Sequence, residues 1–225
     1  MDWTAISLSL RLSACTTLIL LTLGLPLAWW LARTRWRWRF LIEAVVALPL
    51  VLPPTVLGFY VLMAIGPHSP LGQVYEAVFG TRLPFSFQGL LIASVLYSLP
   101  FAVQPFMSAF ATVDRRLIEA SWCLGVGAVG TFFRVALPLA WPGVLAGMVL
   151  TFAHTMGEFG VVLMVGGNLP GETRTVAVSI YDHVQALNYA SAHQTALAML
   201  VFSFFVLSFT YALQRRFTQA WPTTH

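Results

Sequence analysis

Residues 12–32 read LSACTTLILLTLGLPLAWWLA, an uninterrupted run that contains no charged side chain. A transmembrane helix needs about 20 consecutive, predominantly apolar residues, so this run is long enough to cross a bilayer. Four further uncharged runs follow it, at residues 44–75, 83–113, 135–157 and 184–214. Together they predict one all-α integral membrane domain over residues 1–225, with about five transmembrane helices at approximately residues 10–32, 44–65, 86–108, 138–163 and 190–213.

The overall composition agrees with a chain surrounded by membrane lipid. Apolar residues make up 58% of the sequence and charged residues only 9%, whereas soluble proteins carry roughly 25% charged residues. The second run contains Pro49, Pro53 and Pro54. Because proline lacks a backbone donor and kinks a helix, we expect this span to be the least regular.

The positions of the arginines predict how the helices are oriented. The chain contains 12 basic residues, all of them arginines, and short cytoplasmic loops collect such residues. Nine would lie on one side of the membrane, namely Arg33, Arg35, Arg37, Arg39, Arg115, Arg116, Arg134, Arg215 and Arg216. Three would lie on the other, namely Arg11, Arg82 and Arg174. This asymmetry places the N-terminus outside and the C-terminus in the cytoplasm. Tryptophans alternate with the arginines of residues 33–39, which is typical of an interfacial belt, so no nucleic-acid partner is predicted.

The longest polar connection on the predicted cytoplasmic side, residues 111–137, has a distinctive pattern. It reads Glu119-Ala120-Ser121, then Gly125 after three residues, then Leu137-Pro138 where the next apolar run begins. Residues 117–124 can form two helical turns with Glu119 in the first turn, where the helix dipole favours a carboxylate. Gly125 stands where a left-handed helix stop is expected, and proline is tolerated in a first helical turn. We therefore expect a short surface helix that is tied at both ends to spanning helices.

This pattern resembles the EAA loop with which the membrane subunits of bacterial ABC importers contact their ATPase. The departures are Ser121 in place of a second alanine and Val135 in place of isoleucine. The resemblance implies a type I ABC importer permease fold in a bacterial inner membrane. It also implies that six residues couple the chain to the ATPase: Glu119, Ala120, Ser121, Gly125, Leu137 and Pro138.

The chain is not expected to hydrolyse ATP itself. A phosphate-binding loop requires a lysine that reaches the β- and γ-phosphates, and the sequence contains no lysine. The energy must therefore come from a separate ATPase that binds ATP and Mg, or from an ion gradient. We expect no cofactor, metal site or enzymatic activity in this chain.

Three other segments narrow the resemblance to the permease subunits of molybdate importers. They are LPLVLPPTVLG at residues 48–58, GEFG at residues 157–160 and GNLPGETRT at residues 167–175. Related sulfate and tungstate permeases share the EAA loop and the Glu-Phe-Gly feature, so the substrate assignment depends mainly on the last segment. The resemblance implies a homodimer, a cytoplasmic ATPase dimer and an external oxyanion-binding protein. That protein would dock near Asn168, Pro170, Gly171, Glu172 and Arg174.

Glu158 is the one acidic residue well inside an apolar run, where ionisable groups are costly and usually face a cavity or a partner. His154 precedes it by four residues, so a continuous helix would place both on one face. The simplest interpretations are a neutral His–Glu pair, or a carboxylate that water reaches near the outer boundary. A proton relay or a metal site would need further groups. These residues and their neighbours form a predicted pathway or gate: His154, Gly157, Glu158, Phe159 and Gly160.

The leading hypothesis is the membrane subunit of an ATP-driven oxyanion importer, most specifically for molybdate, in which ATPase closure drives alternating access. No arginine lies inside an apolar run, which fits a pathway that must release its anion as well as bind it. The alternatives are a tungstate or sulfate permease, and a stand-alone carrier driven by an ion gradient. Such a carrier should show inverted repeats and several intramembrane ionisable residues, and the sequence shows neither.

Overall fold

The computed structural model describes residues 2–220, and the side chains of residues 2–212. Within that part of the chain every regular element is helical. The α-helices are α1 (Trp3–Arg33), α2 (Arg39–Val51), α3 (Pro54–Ile65), α4 (Pro70–Phe79), α5 (Phe87–Ala111), α6 (Arg115–Cys123), α7 (Ala128–Thr131), α8 (Leu137–Met156), α9 (Gly160–Gly166), α10 (Val176–Gln185) and α11 (Tyr189–Ala220). A π-helical turn, Phe132–Ala136, joins α7 to α8.

Among the described residues, four helical segments are long and apolar enough to cross a membrane: Trp3–Arg33, Phe87–Ala111, Ala128–Met156 and Tyr189–Ala212. Helices α2 and α3 form a fifth candidate span, which is bent by 113° at its break. The bend lies at Pro53 and Pro54, which cannot donate backbone hydrogen bonds. The predicted all-α membrane fold with about five spans is therefore confirmed, and the irregularity of the second span lies at its prolines.

The core lies where α1, α5 and α8 pack side by side. Phe106 and Phe110 of α5 are fully enclosed, and Leu20 and Leu31 of α1 pack into the same cluster. Gly147 of α8 lies directly against the Phe106 ring, because a Cβ atom at Gly147 would be 2.6 Å from that ring. Small residues let membrane helices approach closely, since lipid supplies no hydrophobic driving force between them. Gly147 therefore sets the distance between α5 and α8.

Helix α11 is the least enclosed of the long helices. It packs along α8 and α10, but only 6% of its apolar window is buried. Phe204, Phe205 and Phe209 are each more than 60% exposed. A surface of this kind is stable only against lipid or another protein chain.

Candidate functional site

The short surface helix predicted in the 111–137 connection is present as α6. It begins at Arg115, because the Asp114 side chain accepts a hydrogen bond from a backbone amide of the first turn at 2.8 Å. It ends at Cys123, and Gly125 follows with φ at +79°, a left-handed conformation that glycine adopts without steric cost. The left-handed stop predicted at Gly125 is confirmed. The prediction that Glu119 lies in the first turn is wrong, because Asp114 starts the helix two residues earlier than expected.

Two contacts fix α6 against the spanning helices. Ser121 is buried, and its hydroxyl lies 3.0 Å from the Thr131 hydroxyl of α7 in a hydrogen bond. Ile118 is 2% exposed and belongs to the core cluster formed by α1, α5 and α8. Helix α6 is therefore tied to the bundle through both of its turns.

The other face of α6 is exposed and apolar. Leu117, Trp122 and Leu124 are 48%, 53% and 83% exposed, respectively. Glu119 lies beside them and is 2.8 Å from the Arg115 guanidinium in an ion pair. Exposed apolar side chains rimmed by charges are typical of protein–protein contact sites. Of the six predicted coupling residues, four are exposed, one is half-buried and one is buried: Glu119, Ala120, Gly125 and Pro138, then Leu137, then Ser121.

A buried polar cluster lies between α5 and α8. The Ser98 hydroxyl is hydrogen-bonded to His154 Nδ1 at 3.0 Å and to the Thr155 hydroxyl at 2.8 Å. The His154 ring also stacks on Phe101, with ring centroids 3.7 Å apart. His154 is therefore held by α5, and the His–Glu pair considered for His154 and Glu158 does not form.

Glu158 lies in the break between α8, which ends at Met156, and α9, which begins at Gly160. Because the helix stops before Glu158, its four-residue spacing from His154 no longer places the two side chains on one face. The Glu158 side chain is 5% exposed, and neither carboxylate oxygen has a hydrogen-bond partner in the described part of the chain. The Ser94 hydroxyl faces this carboxyl group without reaching hydrogen-bond geometry. A buried carboxyl group without partners is costly, so its presence points to function and not to stability.

The two breaks in the spanning helices meet each other. Pro54 stands at the bend between α2 and α3, and a Cβ atom at Gly160 would lie only 2.7 Å from the Pro54 Cβ. Gly157 is exposed at the second break, and Phe159 is half-buried there. Irregular backbone at membrane depth is tolerated only where it is buried in protein or lines a water-filled cavity. At the Pro54–Gly160 contact the irregular backbone of each break is covered by the other.

The connection between α9 and α10 contains two kinds of predicted docking residue. Arg174 Nε donates a hydrogen bond to Asn168 Oδ1 at 2.6 Å, and Asn168 Nδ2 donates one to the Asp182 carboxylate of α10. The Arg174 guanidinium also lies 3.5 Å from that carboxylate. Residues 170–172, by contrast, are exposed at the tip of the connection. The first group holds the shape of the loop, and the second forms its accessible surface.

The sequence profile of the family described as binding-protein-dependent transport system inner membrane component matches residues 24–219. The chain belongs to this family. The matched region includes α6, both helix breaks and the connection between α9 and α10. Every site described above therefore lies inside the part of the chain that the family shares.

The similar curated proteins are themselves permeases. The chain is 56% identical over 214 residues to the molybdenum transport system permease protein of Azotobacter vinelandii, and the alignment covers 95% of each chain. It is 38% identical over 184 residues to the corresponding protein of Escherichia coli K12, covering 82% of this chain and 80% of that one. A probable sulfate transport system permease protein of Chlorella vulgaris is 29% identical over 207 residues, which are 92% of this chain and 77% of that one.

Solved structures share the fold. A bacterial ABC transporter involved in the import of the acidic polysaccharide alginate superposes with a TM-score of 0.76 at 17% identity, covering 96% of this chain and 79% of that chain. A methionine ABC transporter in inward-facing conformations gives a TM-score of 0.74 at 16% identity, covering 96% of this chain and 95% of that chain. At this identity the likeness concerns the fold alone. The predicted type I ABC importer permease fold is confirmed.

Several residues that build these sites are not among those predicted from the sequence. Ser98, Phe101 and Thr131 lie in or beside apolar segments, where hydroxyls and phenylalanines carry no local sign of their partners. Asp182 holds the outer loop, but its partner Asn168 lies 14 positions earlier, and no local pattern indicates that contact. The role of Asp114 could have been predicted, because an aspartate directly before a helical segment is a preferred N-cap residue.

Proposed function

We propose that this chain is the membrane-spanning subunit of an ATP-driven importer whose transported oxyanion is molybdate. The observation that carries the proposal is the 56% identity, over 95% of the chain, to the molybdenum transport system permease protein of Azotobacter vinelandii. The sulfate relative is more distant, at 29% identity. Tungstate carries the same charge and tetrahedral shape as molybdate, and it is the closest alternative cargo.

A separate cytoplasmic ATPase would supply the energy by binding ATP and Mg. Its docking surface on this chain would be the exposed face of α6, which presents Leu117, Trp122 and Leu124. The arginine-rich ends of α1 and α2 support a cytoplasmic position for this side of the bundle. The Ser121–Thr131 hydrogen bond and the burial of Ile118 support a mechanical role, because they would pass ATPase movement to the core helices.

A second copy of the chain would complete the pathway, and the helix breaks at Pro54 and Gly160 would contribute to it. The buried Glu158 carboxyl group supports a gate at this point, since a charged carboxylate facing the path would repel an oxyanion. On the outer side, residues 170–172 would form the accessible part of the docking surface for an oxyanion-binding protein. The Asn168–Arg174–Asp182 network would keep that surface in shape.

The proposal is tested by purifying the tagged chain from its native membrane in a gentle detergent. We expect an ATPase with a phosphate-binding loop to co-purify in stoichiometric amount. A chain that purifies alone would contradict the proposal and would favour a carrier driven by an ion gradient.

Cargo is tested separately, by uptake of radioactive molybdate in cells that depend on this chain. Unlabelled molybdate should compete fully, and sulfate in large excess should not compete. If sulfate competes as well as molybdate, the importer class stands but the molybdate assignment is refuted.

A further inference from the structure

A cavity of about 450 Å³ lies beside α6 at the arginine-rich end of the bundle. The end of α1, the start of α2, α6 and α7 together form its walls. Its lining, which falls wholly within the described residues, contains no carboxylate. It combines four arginines with aromatic and aliphatic side chains, among them Arg33, Arg35, Arg39, Arg115, Trp29 and Trp122.

Two of the four guanidinium groups have carboxylate partners outside the cavity. Arg39 lies 3.6 Å from Glu43, and Arg115 lies 2.8 Å from Glu119. Each pair joins two residues of one helix, α2 or α6, at the protein surface, and such pairs interact only weakly in water. Arg35 has no carboxylate within ion-pair distance in the described part of the chain. The cavity therefore keeps a strongly positive lining.

Arg33 reaches further into the protein than the other three. One of its terminal nitrogens donates to the backbone carbonyls of Phe110 and Val113, at 3.3 and 2.9 Å. Its guanidinium also lies over the Trp29 ring, 4.9 Å from the centroid. Its Nε atom is buried and has no hydrogen-bond partner among the described residues. A buried donor without a partner is unusual, and it leaves one guanidinium hydrogen bond available.

The cavity lies where two candidate membrane spans have their ends. Helix α1 ends at Arg33, and α2, the first half of the bent span, begins at Arg39, so this is the position expected of a membrane surface. Trp30, Trp36 and Trp38 adjoin the lining residues Trp29, Arg35 and Arg39 in the sequence and are 40%, 47% and 43% exposed. Tryptophans concentrate where lipid headgroups meet the hydrocarbon region.

We propose that this cavity binds the phosphate headgroup of an anionic phospholipid. Guanidinium groups form charge-assisted hydrogen bonds with phosphate oxygens, and basic pockets between transmembrane helices on the cytoplasmic side hold such headgroups. The apolar Trp29 and Ile118 walls suit the glycerol and the first methylene groups of a lipid, which a free oxyanion lacks. Because α1 and α6 line the same cavity, the lipid would link α6 to the core helix α1.

The test counts phosphatidylglycerol bound to the detergent-solubilised complex by native mass spectrometry, in mixed micelles with phosphatidylcholine. Arg35→Gln and Arg39→Gln each remove one guanidinium from the cavity lining. Arg37→Gln is the matched control, because Arg37 lies between them, carries the same charge and does not line the cavity. Each cavity variant should weaken phosphatidylglycerol binding about fivefold, because it removes a guanidinium that donates directly to the phosphate, and Arg37→Gln less than twofold. All three residues are exposed, so the thermal stability of the complex should not change.

Three results would overturn the inference. Equal loss of lipid in Arg37→Gln would mean a general attraction to the basic surface. Displacement of phosphatidylglycerol by millimolar inorganic phosphate or molybdate would mean that the ligand is a free anion. Lipid retained by the chain alone but excluded from the complex would mean that the ATPase covers the cavity. None of these readouts requires transport, so they are independent of the proposed cargo.

Discussion

Replacing Gly125 by alanine should weaken the coupling of the chain to its ATPase without unfolding the membrane bundle. A Cβ atom at Gly125 would meet no other heavy atom within 4 Å, so the substitution causes no steric clash. The cost comes from the backbone, because φ is +79° and a left-handed conformation costs an L-residue about 1–2 kcal/mol. That free energy shifts the equilibrium between the native α6 end and its unwound forms toward the unwound forms by a factor of about 5–30.

Two further variants separate the backbone effect from the added atoms. Gly127→Ala adds the same methyl group at a position that is equally open but has φ at −66°. Gly125→Asn adds a larger side chain, yet asparagine enters the left-handed region more readily than alanine. Two quantities are measured per chain: the amount of ATPase that co-purifies and the rate of ATP-driven uptake. Both should therefore be near wild type in Gly127→Ala, intermediate in Gly125→Asn and lowest in Gly125→Ala.

The assay uses complexes purified at equal expression, with the melting temperature of the membrane subunit measured in parallel. Wild-type uptake in Gly125→Ala would refute the reasoning, since the strained turn would then play no part in coupling. Equal losses in Gly125→Ala and Gly127→Ala would also refute it, because the effect would then come from the methyl group and not from φ.

Three other substitutions test the remaining sites. Gly147→Leu forces side-chain atoms against the Phe106 ring and should lower the free energy of unfolding by about 1–3 kcal/mol, measured by thermal unfolding in detergent. Unchanged stability would show that α5 and α8 can move apart without cost. Asn168→Ala removes two hydrogen bonds from the outer loop and should destabilise the loop by about 1–3 kcal/mol, measured as faster proteolysis within it. Glu172 is exposed, so Glu172→Gln should leave stability unchanged and weaken the affinity for the binding protein. The reverse pattern would mean that Glu172 holds the loop and Asn168 contacts the binding protein. Glu158→Gln removes the charge with which the gate would close the path to an oxyanion, so ATP-driven uptake should fall while assembly and ATP hydrolysis persist, and normal uptake would mean that Glu158 is not a gate.

Much of the fold could be predicted because it depends on local properties of the sequence. The uncharged run at residues 12–32 lies within α1, and the prolines at positions 53 and 54 lie at the bend of the second span. Gly125 adopts the left-handed turn that its position predicted. Each of these features follows from hydrophobic length, a missing backbone donor or a missing Cβ, which a single residue or segment reveals.

The contacts inside the sites could not be predicted in the same way. His154 pairs with Ser98, which lies 56 positions earlier, and not with Glu158 four positions later. The spacing argument failed because the helix ends at Met156, a boundary that nothing in the apolar pattern indicates. Ser121 is one of the six residues predicted to couple the chain to the ATPase, but its side chain is buried and hydrogen-bonded to Thr131. Long-range packing decides these details.

The most direct test of the central claim is molybdate uptake into proteoliposomes that contain the purified chain with its ATPase and are supplied with the oxyanion-binding protein. Uptake should require ATP inside the compartment where α6 is exposed, should stop when the ATPase is omitted, and should not respond to an imposed proton or sodium gradient. Gradient-driven uptake by the chain alone, without ATP, would contradict the account.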